Sequence, residues 1–366
     1  MKRLTLALLA FVLGSGSAAV AQDIHIGLGG PISGGEAAFG EQMRAGAEAA
    51  VADINAKGGI LGRKVRLFVE DDACDPKQAT SIAQKFVGNK VVFVAGHFCS
   101  SSSIPASKVY TKAGILQITP ASTNPTFTDK GSWNTFRTCG RDDQQGTLAG
   151  RYIAKTYKGK RVAILHDKTT YGKGLADETR KAMRKAGLKE TLYEAYTKGD
   201  KDFTALVSKM KQRKIDVVYV GGYHSEAGSI LRTMRQQGMT SQLISGDALA
   251  TEQYWGITGK DGQGTLITFS PKAENLPANK ELVARLKAAK KPVEGYTLYT
   301  YAAIQAWAQA VAKAKTTDPK VVAKTLKAGT WQTAIGTIKY DKKGDVVSDR
   351  NYVWYVWKDG KYDEVK

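Results

Sequence analysis

Cysteine, histidine and long apolar stretches are all scarce in this chain. Its 366 residues include three cysteines and four histidines. The histidines, His25, His97, His166 and His224, stand at no spacing that recurs in metal sites, so no metal is expected. Beyond residue 21 no run approaches the roughly 20 apolar residues that a membrane helix needs, and the chain reads as soluble. No GxxxxGK(S/T) phosphate loop occurs. The glycine-rich GLGGPISGG has Ile32 where a dinucleotide fingerprint needs its third glycine, so no cofactor is expected. A GxSxG nucleophile elbow is missing too, which leaves an imagined triad of Ser100, His97 and Asp247 without the turn that would support it.

What the chain does carry begins with a leader. Lys2 and Arg3, the apolar run from Leu4 to Leu13 and the small-x-small Ala19-Val20-Ala21 read as a secretory signal peptide over residues 1–21. Export and cleavage after Ala21 are expected. The remainder is too long for one ordinary core and fits two domains. Lys and Arg number 54 against 34 Asp and Glu, a formal charge of +20, or +18 once Lys2 and Arg3 leave. Such a charge can mark a nucleic-acid partner. Here the lysines are spread over helix surfaces, in KAMRKAGLK, KMKQRK and KAAKK, without interleaved aromatics. A solvated basic exterior is expected, and no nucleic acid.

Three cysteines in an exported protein point to one disulfide and one spare thiol. Cys74 and Cys99 each follow a strand-like run, RLFVEDDAC and VVFVAGHFC. Neighbouring parallel strands would bring the two within bridging reach. Cys139, in FRTCGRD, is then the free thiol.

Strand and helix patterns alternate along most of the chain. IHIGL (24–28), KVRLFVE (64–70), VVFVAG (91–96) and ILQIT (115–119) read as strands, each followed by a helical pattern or a turn. Asp75-Pro76 reads as an N-cap with proline at the first helical position. RVAILHD, TLYEAY, DVVYVGG and QLISG repeat the theme from residue 161, with Ser225 as the expected cap of the helix after DVVYVGG. Apolar strands separated by amphipathic helices indicate parallel sheets covered on both faces. The fold class is therefore α/β, with two doubly wound lobes. The tail differs: TYAAIQAWAQAVAKA is one helix, GTIKYDKKGD a hairpin and NYVWYVWKDGKY an aromatic strand pair.

Ligands in such folds sit at the carboxyl ends of strands and between lobes. The strand ends here offer hydroxyls at Ser100, Ser122 and Thr123, aromatics at Phe39, Phe98, Tyr171, Tyr223 and Tyr296, and an acid at Asp247. A helix opening near Ser100 presents free N–H groups that suit a carboxylate, while Asp247 suits an ammonium group. Together they describe a site for a small zwitterion. Taken singly, Ser100 is equally a cap, Asp247 a turn residue and each aromatic a core filler.

The segments AVADINAKGGILGRK, DDACDPKQA, GHFCSSSSIPAS, ITPAST, LHDKTTYGKGLA, YVGGYHSEAG and TYAAIQA together resemble the leucine/isoleucine/valine-binding proteins, the type I periplasmic substrate-binding proteins of ABC transporters. The resemblance implies two lobes joined by three hinge strands. Lobe 1 would comprise 22–141 with 271–349, and lobe 2 would comprise 142–270 with 350–366. It implies a ligand carboxylate at Ser100, Thr123 and the backbone around Ala121, and an ammonium at Asp247. Tyr171 and Tyr223 would line the cleft, with Phe39, Phe98, Cys99 and Tyr296 around the ligand side chain. The family disulfide falls on Cys74 and Cys99. A periplasmic location, a monomer and delivery to an inner-membrane ABC permease follow, with no enzymatic activity. Two departures bear on the ligand. Phe98 stands where leucine is common and should crowd the side-chain pocket; Asp247 stands where glutamate is common and is one methylene shorter. Both favour compact ligands such as alanine, proline or valine, or an amine set further from its carboxylate, as in 4-aminobutyrate. A leucine/isoleucine/valine binder, a sensor subunit of the same fold and an exported hydrolase using Ser100 stay open as alternatives.

Overall fold

The computed structural model describes residues 22–348 and 351–365; the expected leader, 1–21, lies outside the described residues. The first half of the chain runs β1 (Ile24–Gly30), α1 (Ala37–Ala56), β2 (Val65–Asp71), α2 (Pro76–Gly88), β3 (Phe93–Gly96), α3 (Ser100–Ala113), β4 (Leu116–Thr119), α4 (Thr126–Asp129) and β5 (Thr135–Arg137). The second unit runs α5 (Asp142–Thr156), β6 (Val162–His166), α6 (Thr170–Lys185), β7 (Leu192–Ala195), α7 (Thr204–Gln212), β8 (Val217–Gly221), α8 (His224–Gln236), β9 (Gln242–Ser245), α9 (Glu252–Thr258) and β10 (Leu266–Phe269). The tail adds α10 (Lys280–Ala288), α11 (Thr297–Ala314), α12 (Pro319–Ala328), β11 (Thr330–Thr333), β12 (Gly336–Lys339), β13 (Val353–Lys358) and β14 (Lys361–Glu364).

These strands form two main sheets, as the alternation predicts. One is wholly parallel, in the order β2-β1-β3-β4-β5. The other has the order β14-β13-β10-β9-β8-β6-β7; its β6–β10 portion is parallel, and β13 and β14 add an antiparallel margin. Every residue of β6 and β8 is buried, as strands covered on both faces must be. The chain crosses between the two units three times: after β5, after β10 and after β12. Between the second and third crossings, α11 returns to the first sheet, where Trp307 stacks on Phe93 at 4.9 Å.

Local chemistry sets the helix ends. Asp75 accepts from the N–H groups of Lys77 and Gln78, with Pro76 opening α2. Asp318 does the same for Lys320 and Val321 ahead of Pro319. Each such cap contributes about 1 kcal/mol. Gly114 closes α3 in the left-handed region at φ 74°. Ser225 is no cap. The α8 helix already begins at His224 after Tyr223, and the Ser225 hydroxyl donates instead to the carbonyl of Gly35 across the interface.

The Cys74–Cys99 disulfide is formed, with the Cα atoms 5.5 Å apart, and Cys139 is the free, buried thiol. The geometry differs from a link between neighbouring strands. Strand β1 lies between β2 and β3, so the bridge passes over the carboxyl end of β1. Gly96 permits the crowding there: its φ is 142°, and a Cβ would stand 2.2 Å from the Gly29 carbonyl oxygen.

Candidate functional site

The carboxyl ends of β1, β3 and β4 meet those of β6, β8 and β9 at the interface of the two units. Phe98, Cys99 and Ser100 follow β3 and are held from three sides. Cys99 is tied to Cys74 and stands in extended backbone just before α3. His97 is fully buried, with Nδ1 2.5 Å from Asp72 and Nε2 2.8 Å from the Tyr110 hydroxyl. Both ring nitrogens are thereby taken, so the triad with Ser100 and Asp247 is not assembled. The Ser122 hydroxyl bonds to the Phe98 carbonyl at 2.8 Å and to the Ser103 hydroxyl at 2.7 Å. This locks the 97–100 loop to the 121–124 loop beyond β4. Ser100 Oγ accepts from the Asn124 N–H at 3.3 Å, and the Ala121 N–H donates to Thr119.

Asp247 approaches from the second sheet, just past β9. It is 3% exposed, and one carboxylate oxygen accepts from Gln145 at 3.0 Å and from the Tyr171 hydroxyl at 2.8 Å. The other oxygen accepts from the Tyr296 hydroxyl, which comes from the N-terminal end of α11. Gly246 makes room for this cluster, since a Cβ there would lie 2.7 Å from Gln145 and 3.0 Å from the Tyr171 oxygen. Burial raises the Asp247 pKa above the ordinary carboxylate value, against the three donors that lower it. Burial likewise raises Tyr171 and Tyr296, so both remain hydrogen-bond donors to the acid.

Aromatic rings fill the space between Asp247 and the 97–100 loop. Phe98 stacks on Phe39 at 4.4 Å and meets Tyr296 edge-on at 5.4 Å. Tyr223 lies 6.1 Å from Phe98 and 5.2 Å from Tyr171. His224 sets its edge against Phe39 at 5.4 Å, and burial pushes its pKa down to about 4, so the ring is neutral. All eleven residues singled out from the sequence converge here. The structure adds four more that the sequence reading passed over, Gln145 beside Asp247, the pair Glu36–Lys198, and Asp142; His224 lies beside Phe39.

Glu36 precedes α1 and is 2% exposed; Lys198, from the loop after β7, reaches it at 2.9 Å and sits over the Tyr223 ring at 5.1 Å. Asn124 Nδ2 donates to the Thr170 carbonyl at 2.9 Å, another polar tie across the interface. Asp142 opens α5. Its burial and the nearby Asp247 charge hold its carboxyl well above the usual range, while the adjacent Thr123 and Arg137 work the other way. Around this interface several buried polar atoms lack a hydrogen bond among the described residues. They are Gln145 Oε1, the Tyr223 hydroxyl and His224 Nδ1, while the Thr123 hydroxyl and the Asp142 carboxyl face one another. Buried polar atoms rarely go unpaired, so their gathering in one place marks where a polar ligand fits. The open surface grooves lie elsewhere. One of about 640 Å³ runs between α5 and α6, lined by Arg151, Lys181 and Lys185.

The profile of the family described as "Periplasmic binding protein" matches residues 23–361. The chain belongs to the periplasmic binding protein family. Within that family it is 49% identical to "Leu/Ile/Val-binding protein homolog 1" of Brucella suis, over 98% of this chain and 97% of that protein. It is also 49% identical to "Amino acid binding protein" of Pseudomonas aeruginosa, over 97% and 95%. Among solved structures, a leucine-binding protein LivK of Thermotoga maritima superposes with a TM-score of 0.86 at 26% identity, covering 94% of this chain and 98% of that one. The substrate-binding protein LivJ of Streptococcus pneumoniae, in complex with isoleucine, gives 0.84 at 26% identity, covering 94% and 99%. The resemblance read from GHFCSSSSIPAS and its companion segments is borne out. Periplasmic binding proteins of this type are the substrate-binding components of branched-chain amino-acid ABC transporters, and the present chain takes its place among them.

Proposed function

We propose that this protein captures a small neutral amino acid between its lobes, taken as 22–141 with 271–349 and 142–270 with 350–366, and hands it to an inner-membrane ABC permease. The observation that carries the reading is the unpaired polar set at the interface, opposite a buried acid. Ser100 and Thr123 receive the carboxylate, in a loop whose Ala121 and Ser122 N–H groups are tied to the Thr119 hydroxyl; Asp247 receives the ammonium. Phe39, Phe98, Cys99, Tyr171, Tyr223 and Tyr296 wall the side chain. The ligand bridges both units and so favours the closed arrangement. No bond is made or broken. The protein works as a monomer in the periplasm after cleavage at Ala21.

Two features support a compact ligand such as alanine, proline, valine or 4-aminobutyrate. Phe98 spends its ring on the space a longer side chain would need, pinned between Phe39 and Tyr296. Asp247, already held by Gln145, Tyr171 and Tyr296, reaches less far than a glutamate would. The names of the Leu/Ile/Val-binding relatives favour a second reading, a branched-chain binder. Calorimetry on ligand-free protein with alanine, proline, valine, leucine, isoleucine and 4-aminobutyrate separates the two. Leucine binding far more tightly than the compact ligands would overturn the first.

A further inference from the structure

Arg137 ends β5 and is fully buried. Its guanidinium turns toward the back of the 121–124 loop. One nitrogen donates to the Ser122 carbonyl at 2.7 Å; another donates to the Asn124 carbonyl at 3.1 Å and to the Thr128 hydroxyl at 2.8 Å. These two carbonyls flank Thr123. The remaining nitrogen faces Asp345 at 2.6 Å, in the third crossing between the units. Asp345 is itself fixed by the Thr128 hydroxyl at 2.8 Å and by Arg141 of the first crossing at 2.8 Å. The Arg137 backbone N–H also donates to Gly344, so loop and crossing are joined twice at this residue.

A fork of this kind has no lysine equivalent, because only a planar guanidinium reaches two carbonyls and a carboxylate at once. A cation on the Ser122 carbonyl also polarises that peptide, making the Thr123 N–H a stronger donor. Thr123 is the loop residue assigned to the ligand carboxylate, and 341–348 leads from the first unit to β13. We propose that Arg137 is a positioning residue for the carboxylate subsite, and that through Asp345 it couples ligand occupancy to the third crossing. The proposal rests on the amino-acid reading of the site.

The test combines calorimetry with hydrogen-exchange mass spectrometry, using alanine and valine as probes. In the wild-type protein, adding either probe should slow exchange both at 121–124 and at 341–348. Arg137→Lys, which keeps the charge and loses the fork, should weaken both probes at least tenfold. Asp345→Asn should leave affinity within about fivefold while removing the ligand-dependent protection at 341–348 and keeping that at 121–124. A role limited to holding the fold together would lower stability without linking these two segments. Wild-type affinity in Arg137→Lys overturns the proposal, as does wild-type exchange at 341–348 that ignores the probe. The second measurement decides the matter even if the arginine variant does not fold. Failure of wild-type protein to bind any amino acid overturns the reading of the site, and the coupling with it.

Discussion

Phe98→Leu should turn the site toward larger side chains. Phe98 is 4% exposed, stacked on Phe39 and capped at its edge by Tyr296, so its ring occupies space at the centre of the aromatic wall. Leucine at this position withdraws the ring and leaves its volume to the ligand. A leucine ligand carries three more carbons than alanine, and each buried methylene is worth about 0.8 kcal/mol. Full burial of the three would give about 2.4 kcal/mol, or about 50-fold in affinity. The ratio of leucine to alanine affinity should therefore rise by up to about 50-fold in the variant. The lost ring pair costs about 0.5–1.5 kcal/mol beyond the area it buried, so the variant should melt a few degrees lower yet remain folded. Calorimetry of both proteins against alanine, valine and leucine reads the ratio directly. An unchanged ratio in a folded variant would refute the steric role of Phe98.

Asp247→Asn keeps the shape of the acid and removes its charge; leaving a buried ammonium without its partner should cost about 3–5 kcal/mol of ligand affinity, and calorimetry showing full affinity would remove Asp247 from the site. Because burial raises the Asp247 pKa, ligand affinity should begin to fall on acidification at a higher pH than an ordinary aspartate would dictate; affinity flat down to pH 4 would contradict this. Lys198→Ala strands the buried Glu36 carboxylate, at about 1–3 kcal/mol, so the ligand off-rate in stopped flow should rise about fivefold or more, and an unchanged rate would show that the pair does not hold the closed form. Glu294→Gln is read as stability. Burial pushes the Glu294 carboxyl up to about 7, so the folded chain retains a proton that the unfolded chain releases, and stability falls as pH rises from about 5 to 8. The glutamine variant should gain stability at pH 8, gain little at pH 5, and so show a flatter profile in thermal melts; an equal shift at both values would disprove the assignment. His224, held down at about 4, slopes the other way as pH falls below 6.5, so the difference between variant and wild type is the quantity to follow.

Both sheets were legible in the sequence because parallel strands buried on two faces leave continuous apolar runs, as in VAILH and VVYVG. The order of the strands was not. Nothing in RLFVEDDAC and VVFVAGHFC tells that β1 runs between them, since strand order depends on which helices cover which face. The disulfide was paired correctly on a wrong picture of adjacency. Ser225 misled for a related reason: serine near a helix start is a good local cap, but here the cleft closes over it and Gly35 takes its hydroxyl. Phe98, Tyr171, Tyr223 and Asp247 were visible because each lies just past a strand. Gln145, Glu36 and Lys198 gave no such signal, being an amide in the first turn of α5 and two charges in loops. Gln145 finds its partners within the second unit, and Glu36 meets Lys198 only across the interface.

That interface is secured by the chain's own groups at several points, which bears on how binding is divided between ligand and protein. Tyr296 from α11 donates to Asp247 from the second sheet, Lys198 meets Glu36, Asn124 meets Thr170, and Phe98 faces Tyr223. Each is lost when the units separate, and each contributes to closure whatever the ligand. A ligand shifts an equilibrium only by the difference in its affinity for the two states. The more closure the chain supplies itself, the less of its contact energy a small ligand must devote to bringing the lobes together. A ligand as small as alanine offers few contacts, so a site built for it needs this intrinsic bias more than one built for leucine. The pair of Lys198 with the buried Glu36, beside the Tyr223 ring at the interface, supplies such a bias.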